Sequence, residues 1–264
     1  MASPPWQRRI ERAQELCDQH QFAAQILRFY IRVACFQQDL QLGLRTMAQA
    51  AEASIDRELT QTEVSELTSR FESFLSLAEA HGPDQSSKLS RELHARESSF
   101  WAELLNAAWG VQARSDAQGI LAVAFLQPYA ELLRERAPVR PDLRSYGICP
   151  VCRRKPCVGV LRTLGEGAAR SLVCSFCLNE WEFRRIVCPG CGEEDDKKLA
   201  VFTASDFDYI RVECCETCKT YIKTVDLSKN GCADPVVDEL ASAPLDLWAR
   251  ERGYAKLQQN ILGM

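Results

Sequence analysis

The chain is poor in histidine, in long apolar runs and in net charge of either sign, and each shortage removes a class of function. Its three histidines, His20, His81 and His94, all precede residue 95, and none accompanies a Ser or Cys nucleophile motif. Mixed Cys/His metal sites are therefore excluded beyond that point, and a histidine-based catalytic constellation has nothing to build on. The longest apolar run, residues 120–126, is far too short to span a membrane. The N-terminal stretch lacks the apolar centre of a signal peptide, so export is not expected and a reducing cytoplasm is. A formal net charge of −4 gives no global basic field for nucleic acid or anionic lipid. No Walker loop and no G-x-G-x-x-G occurs.

Cysteine is what the chain has in excess. There are 13, and eleven fall between positions 149 and 232. In a reducing compartment such a cluster reads as metal ligation rather than a disulfide framework. Four C-x-x-C pairs stand out: Cys149/Cys152, Cys174/Cys177, Cys188/Cys191 and Cys215/Cys218. This spacing places two thiolates on one tight turn, so that both sulfurs converge on one ion, and two such turns complete a tetrahedron. The pairs also repeat. Cys149-Pro-Val-Cys152 matches Cys188-Pro-Gly-Cys191 at a displacement of 39, and Cys174-Ser-Phe-Cys177 matches Cys215-Glu-Thr-Cys218 at 41. Two copies of one ribbon, each holding one ion, account for this. The other pairing, Cys174/Cys177 with Cys188/Cys191, is short in sequence but breaks the repeat. Four thiolates leave no open coordination position, so such sites are structural, and the chain is expected not to be an enzyme. Thiolate tetrahedra suit iron and zinc alike.

The rest of the chain divides near residue 140. Before it, apolar residues recur at three- and four-residue steps, as in Val64, Leu67, Phe71, Phe74, Leu75 and Ala78. Thr60-Gln-Thr-Glu63 and Ser115-Asp-Ala-Gln118 have the form of capping boxes. His81-Gly82-Pro83 stops one helix, and Pro128 should kink or end another. Four to six helices are expected. Pro138, Pro141 and Gly147 mark a boundary, and short β-prone runs come after it at 158–161, 181–183, 209–212 and 221–225. Residues 235–253 look helical again. The expected architecture is α+β: an all-α domain (1–140), two tandem rubredoxin-like or zinc-ribbon-like four-cysteine modules (146–186 and 187–232) and a C-terminal helical segment (233–264). The helical part is expected to fold separately from the metal.

The cysteine series, with Pro156 after the first pair, Glu180-Trp181 and Arg185 after the second, Gly192 after the third and Tyr221-Ile-Lys223 after the fourth, resembles the formate dehydrogenase accessory protein family (FdhE). Asp238-Glu-Leu-Ala-Ser242, Pro244-Leu-Asp246 and Gly253-Tyr254-Ala255 are similar to that family too. The match carried by motifs runs from about Tyr146 to the end. The resemblance implies a cytoplasmic maturation factor that holds iron in two rubredoxin-like ribbons. It further implies a chaperone-like role in forming active respiratory formate dehydrogenase, with that enzyme's catalytic subunit as partner. Two departures stand out: Cys214, and Arg153 where a Gly is usual.

Two other readings compete: a nucleic-acid-binding zinc-ribbon protein and a rubredoxin-like redox protein. Between 149 and 232, thirteen Lys and Arg oppose twelve Asp and Glu. Eight thiolates on two divalent ions subtract four more charges, leaving about −3, where nucleic-acid modules are basic. A surface for a protein partner is expected at the seam between the repeats. There Trp181, Arg184 and Arg185 follow one knuckle, and Tyr221 and Lys223 follow the other. The competing expectation is that Trp181 and Tyr221 cover the metal sulfurs.

Overall fold

The computed structural model describes residues 5–110, 116–140, 147–165 and 167–264. Ser115, Pro141, Tyr146 and the first four residues, all of which entered the sequence expectations, lie outside them. Among the described residues of the first half there are six α-helices: α1 (Pro5–Gln19), α2 (Ala24–Ala50), α3 (Gln61–His81), α4 (Asp84–His94), α5 (Ser98–Trp109) and α6 (Ala117–Arg134). The apolar stripe of α3 is buried as its spacing requires, and Phe71 and Phe74 meet Phe125 of α6 with ring centroids 5.0 and 5.6 Å apart. Thr60 and Glu63 form the reciprocal capping box at the start of α3, and Gly82 ends that helix. Asp116 caps α6, its side chain accepting from the Gly119 N–H.

Pro128 does not end α6, which continues to Arg134. A proline here removes the N–H that would bond the carbonyl four residues earlier, that of Ala124. The buried side chain of Gln37 on α2 supplies the donor instead, its Nε2 2.6 Å from the Ala124 carbonyl. The interrupted ladder is thus repaired by a neighbouring helix.

The second half carries β1 (Pro156–Leu164), β2 (Gly167–Cys174), β3 (Glu180–Glu182), β4 (Leu199–Ala204), β5 (Phe207–Cys215) and β6 (Thr220–Asp226). Helices α7 (Pro235–Ala241) and α8 (Ala243–Glu251) and the short β7 (Ala255–Lys256) complete the chain. Each ribbon is an antiparallel meander, and the two are joined edge to edge into one sheet of order β3-β2-β1-β6-β5-β4, with β7 added beside β6. The join is parallel: Val158, Gly159, Val160 and Leu161 of β1 lie opposite Lys223, Thr224, Val225 and Asp226 of β6. The first strand of one copy therefore pairs with the third strand of the other. Gly159 sits at the closest approach, since a Cβ there would fall 2.3 Å from Thr224 Oγ1.

Helices α7 and α8 lie against the sheet, and α7 also meets the helical half. Arg12 of α1 forks onto Asp238 of α7 at 3.0 and 2.7 Å, both groups buried. Arg9 of α1 reaches Glu131 of α6 at 3.3 Å. One apolar cluster runs without a break from Leu67, Phe71 and Phe125 of the helices to Phe176, Leu172 and Trp181 of the first ribbon.

Candidate metal centres

Each C-x-x-C pair forms the same tight turn. The residue after the second cysteine takes a left-handed conformation in all four: Arg153 (φ 65°), Leu178 (φ 52°), Gly192 (φ 79°) and Lys219 (φ 55°). Only Gly192 adopts it without steric cost, so three side chains are held there by the turn around them. In the first pair, the Arg153 N–H donates to the Cys149 carbonyl at 2.9 Å and the Val151 N–H points at Cys149 Sγ at 3.4 Å. In the third, Gly192 bonds the Cys188 carbonyl at 2.9 Å and the Gly190 N–H lies 3.3 Å from Cys188 Sγ. Phe176 N–H approaches Cys174 Sγ at 3.4 Å. Backbone donors aimed at sulfur stabilise thiolate, which is the form a metal binds.

The turns bring eight sulfurs into two sets of four: Cys149, Cys152, Cys174 and Cys177, then Cys188, Cys191, Cys215 and Cys218. Within each set all sulfurs lie within 4.8 Å of one another. This is the grouping that respects the repeat. A tetrahedron with metal–sulfur bonds of about 2.3 Å has sulfur–sulfur edges of about 3.8 Å. In the second set Cys188–Cys218 and Cys191–Cys215 are both 3.7 Å. The first set is slightly tighter, at 3.6 Å for Cys149–Cys177 and 3.3 Å for Cys152–Cys174. The spacing and donor set fit one tetrahedral metal ion in each set, iron and zinc equally.

The two sets differ in their surroundings. All four cysteines of the first are buried, and they belong to the same apolar cluster as the helices. Phe176 of its second turn meets Trp109 of α5 edge-on at 5.3 Å. Arg154, next to the first turn, is buried too. Its guanidinium lies 3.6 Å from the Phe176 ring centroid and donates to the carbonyls of Ala108, Trp109 and Gly110 at the end of α5. A cation capping three orphan carbonyls suits the negative end of a helix. Gln127 of α6 donates to the Ser175 carbonyl at 3.4 Å. Burial pushes the Cys174 and Cys177 thiols well above their usual range, while hydrogen bonds from Cys152, Cys174 and Cys177 push the Cys149 thiol down. In the second set Cys191 is exposed and Cys218 half-buried, while Cys188 and Cys215 face inward.

Sequence models of the FdhE central domain and the FdhE C-terminal domain match residues 148–185 and 186–262. A protein of Aquifex aeolicus described as a protein FdhE homolog is 32% identical over 194 residues, covering 73% of this chain and 69% of its own length. The chain belongs to the FdhE family. An FdhE homolog of Pseudomonas aeruginosa is 35% identical over 137 residues, spanning 49% of this chain and 43% of that protein. The crystal structure of the FdhE protein from Pseudomonas aeruginosa superposes with a TM-score of 0.64 at 23% identity, over 97% of this chain and 95% of that one. That likeness is one of fold, and it extends over the helical half, where the family signature in the sequence is weak.

The five residues expected to face a partner divide. Arg184 and Arg185 are exposed, and Arg184 forks onto Glu194 at 2.5 and 2.8 Å. Trp181, Tyr221 and Lys223 are not surface residues, and this corrects the expectation of paired aromatic and cationic anchors. Trp181 packs in the apolar cluster that holds the first cysteine set. The Tyr221 hydroxyl donates to Asp246 at 2.7 Å, beneath α8. Lys223 is fully enclosed and meets Asp246 at 2.7 Å and Glu239 at 3.1 Å, with Lys256 joining the same two carboxylates. Its place on a strand opposite an amphipathic helix gave no sign of this in the sequence, because the carboxylates that bury it lie 16 and 23 residues away. Cys214 is buried on the sheet face opposite Cys215, and burial pushes its thiol up to about 12. Cys157 is likewise buried and raised to about 12. Both are packing residues.

Proposed function

We propose that this FdhE-family chain is a chaperone-like maturation factor for respiratory formate dehydrogenase, acting on that enzyme's catalytic subunit in the cytoplasm. The observation that carries the reading is the pairing of family membership with two four-cysteine sets, the only groups of side chains among the described residues that could hold a metal ion. In this reading Cys149, Cys152, Cys174 and Cys177 ligate one ion, and Cys188, Cys191, Cys215 and Cys218 a second. Iron is the ion favoured, and the sites carry no substrate chemistry of their own. Among the described residues no helix is long and apolar enough to cross a membrane.

The partner face is placed at the exposed Arg184 and Arg185, in the connection between the ribbons. Beside them Ile186 and Val201 are exposed, at 58% and 54%, and line a cavity of about 390 Å³ shared by apolar side chains and the Arg170–Glu213 ion pair. A cationic and apolar rim of this kind suits a protein surface better than a phosphate backbone, since the exposed Ile186 and Val201 offer a phosphate no donor. The test is co-purification with the catalytic subunit, for the wild type and for Arg184→Glu plus Arg185→Glu. We expect the wild type to capture the subunit, the double variant to lose it with metal content unchanged, and neither to oxidise formate alone. Failure of the wild type to bind refutes the assignment, and full binding by the variant moves the partner face elsewhere.

A further inference from the structure

The two cysteine sets share one turn geometry but not one environment, and the difference has a direction. In the first set Cys149, Cys174 and Cys177 are 0% exposed and Cys152 is 2%. Phe176 and Arg154 lie against it and α5 and α6 lie beyond, so every path to a sulfur runs through packed side chains. The second set is closed on one side only. On the inner side, a Cβ added at Gly190 would meet Thr220 Oγ1 at 2.9 Å, Leu257 Cδ1 at 3.2 Å and Cys218 Sγ at 3.4 Å. On the outer side Cys191 is exposed, and a Cβ added at the following Gly192 would meet nothing within 4 Å.

We infer that the second cluster is an exchangeable metal site whose first ligand to leave is Cys191, while the first cluster is fixed. The inference rests on the eight cysteines ligating two ions, as proposed for the function. Thiolate reactivity follows exposure, and a ligand swap at a closed tetrahedral site needs room for the incoming donor. The outer side of the second cluster has that room at the exposed Cys191, whereas Cys188 and Cys215 line the cavity of about 390 Å³ but are themselves buried. The step is a substitution without redox change. With an ion held by the four cysteines, the Cys191 sulfur would give up its bond to it and take a proton from solvent, and a donor atom of the competing ligand would bond the ion in its place. Cys218, half-buried, is the second to leave, and Cys188 and Cys215 release last.

The test uses the full-length, zinc-loaded protein with EDTA as the competing ligand. Total zinc is measured before addition, and two ions per chain establish the ligand assignment independently of any release rate. Released zinc is then followed in time, and iodoacetamide with peptide mass spectrometry records which ligating cysteine is alkylated first. We expect one ion to leave at least about tenfold faster than the other, with Cys191 the first ligand modified. Cys191→Ser should accelerate release of that ion or abolish its binding, and leave the slow one unchanged. Two ions leaving at one rate, or first modification among Cys149, Cys152, Cys174 and Cys177, would overturn the inference. The alkylation order in the wild type decides it even where the variant misfolds.

Discussion

Single side chains in this protein satisfy backbone groups that its own helices leave open. Gln37 completes the ladder that Pro128 interrupts, and Arg154 caps the end of α5 from the sheet side. Losing the donor leaves buried carbonyls unpaired, which costs about 1–3 kcal/mol at each site. Gln37→Leu and Arg154→Met should therefore each lower stability by about that amount in urea titration. The Arg154 variant should keep the second ion, since that cluster lies elsewhere in the sheet. Glu63 carries a pH-dependent contribution. Burial pushes its carboxyl up, but the Arg57 guanidinium, the Tyr129 hydroxyl and the Thr60 backbone outweigh this and hold it at about 2, below its ordinary 4.5. A carboxylate depressed on folding stabilises above its unfolded value and loses that contribution as pH falls through the folded value. The stability gap between wild type and Glu63→Gln should thus be full at pH 7 and shrink between about 4.5 and about 2. Taking the difference cancels the metal loss that acid causes in both proteins, and a gap constant across that range would refute the assignment.

At the scale of elements, the junction of the two ribbons is where residue chemistry is most constrained. The parallel pairing of β1 with β6 needs Gly159, and the Lys223–Lys256–Glu239–Asp246 network seals α7, α8 and β7 onto β6. Gly159→Ala forces its Cβ into Thr224 and should cost about 1–3 kcal/mol, read as a lowered denaturation midpoint. Lys223→Met leaves two buried carboxylates with one cation and should cost about 3–5 kcal/mol. Little of this junction was legible in the sequence. The helices were, because 3.6-residue periodicity and the Thr60 capping box are local signals. So were the cysteine turns, whose spacing encodes their geometry. Strands β1, β3, β5 and β6 showed as β-prone runs, but β2 and β4 did not. Gly167, Ala168, Ala169 and Arg170 have weak strand preference, and β2 exists because the turn at Gly165 folds it back along β1. Edge-to-edge joining of the repeats is set by pairing between distant strands, for which a single sequence carries no periodic mark. The buried state of Lys223 escaped for the same reason: its partners are brought in by tertiary packing.

For the molecule as a whole, the two metal sets occupy different mechanical positions. The second closes the far ribbon, near solvent. The first lies in the apolar cluster shared with the helices, tied there by Trp109–Phe176, Arg154 and the Gln127–Ser175 hydrogen bond. This interface conflicts with the expectation that residues 1–140 fold apart from the metal. A small ribbon draws much of its folding free energy from its ion, so emptying the first site should loosen the face against which α5 and α6 are packed. The test is a pair of double variants. Cys149→Ser with Cys152→Ser and Cys188→Ser with Cys191→Ser should each reduce metal from two ions per chain to one by elemental analysis. Only the first pair should also lower and broaden the thermal transition of the helices followed by far-ultraviolet circular dichroism. The second pair should leave that transition near the wild-type midpoint, because none of the four cysteines of its set belongs to the apolar cluster that holds α5 and α6. Unchanged metal content in either double variant would remove those cysteines from the ligand set. An unchanged helical transition in the first pair would restore the picture of a helical domain that folds on its own.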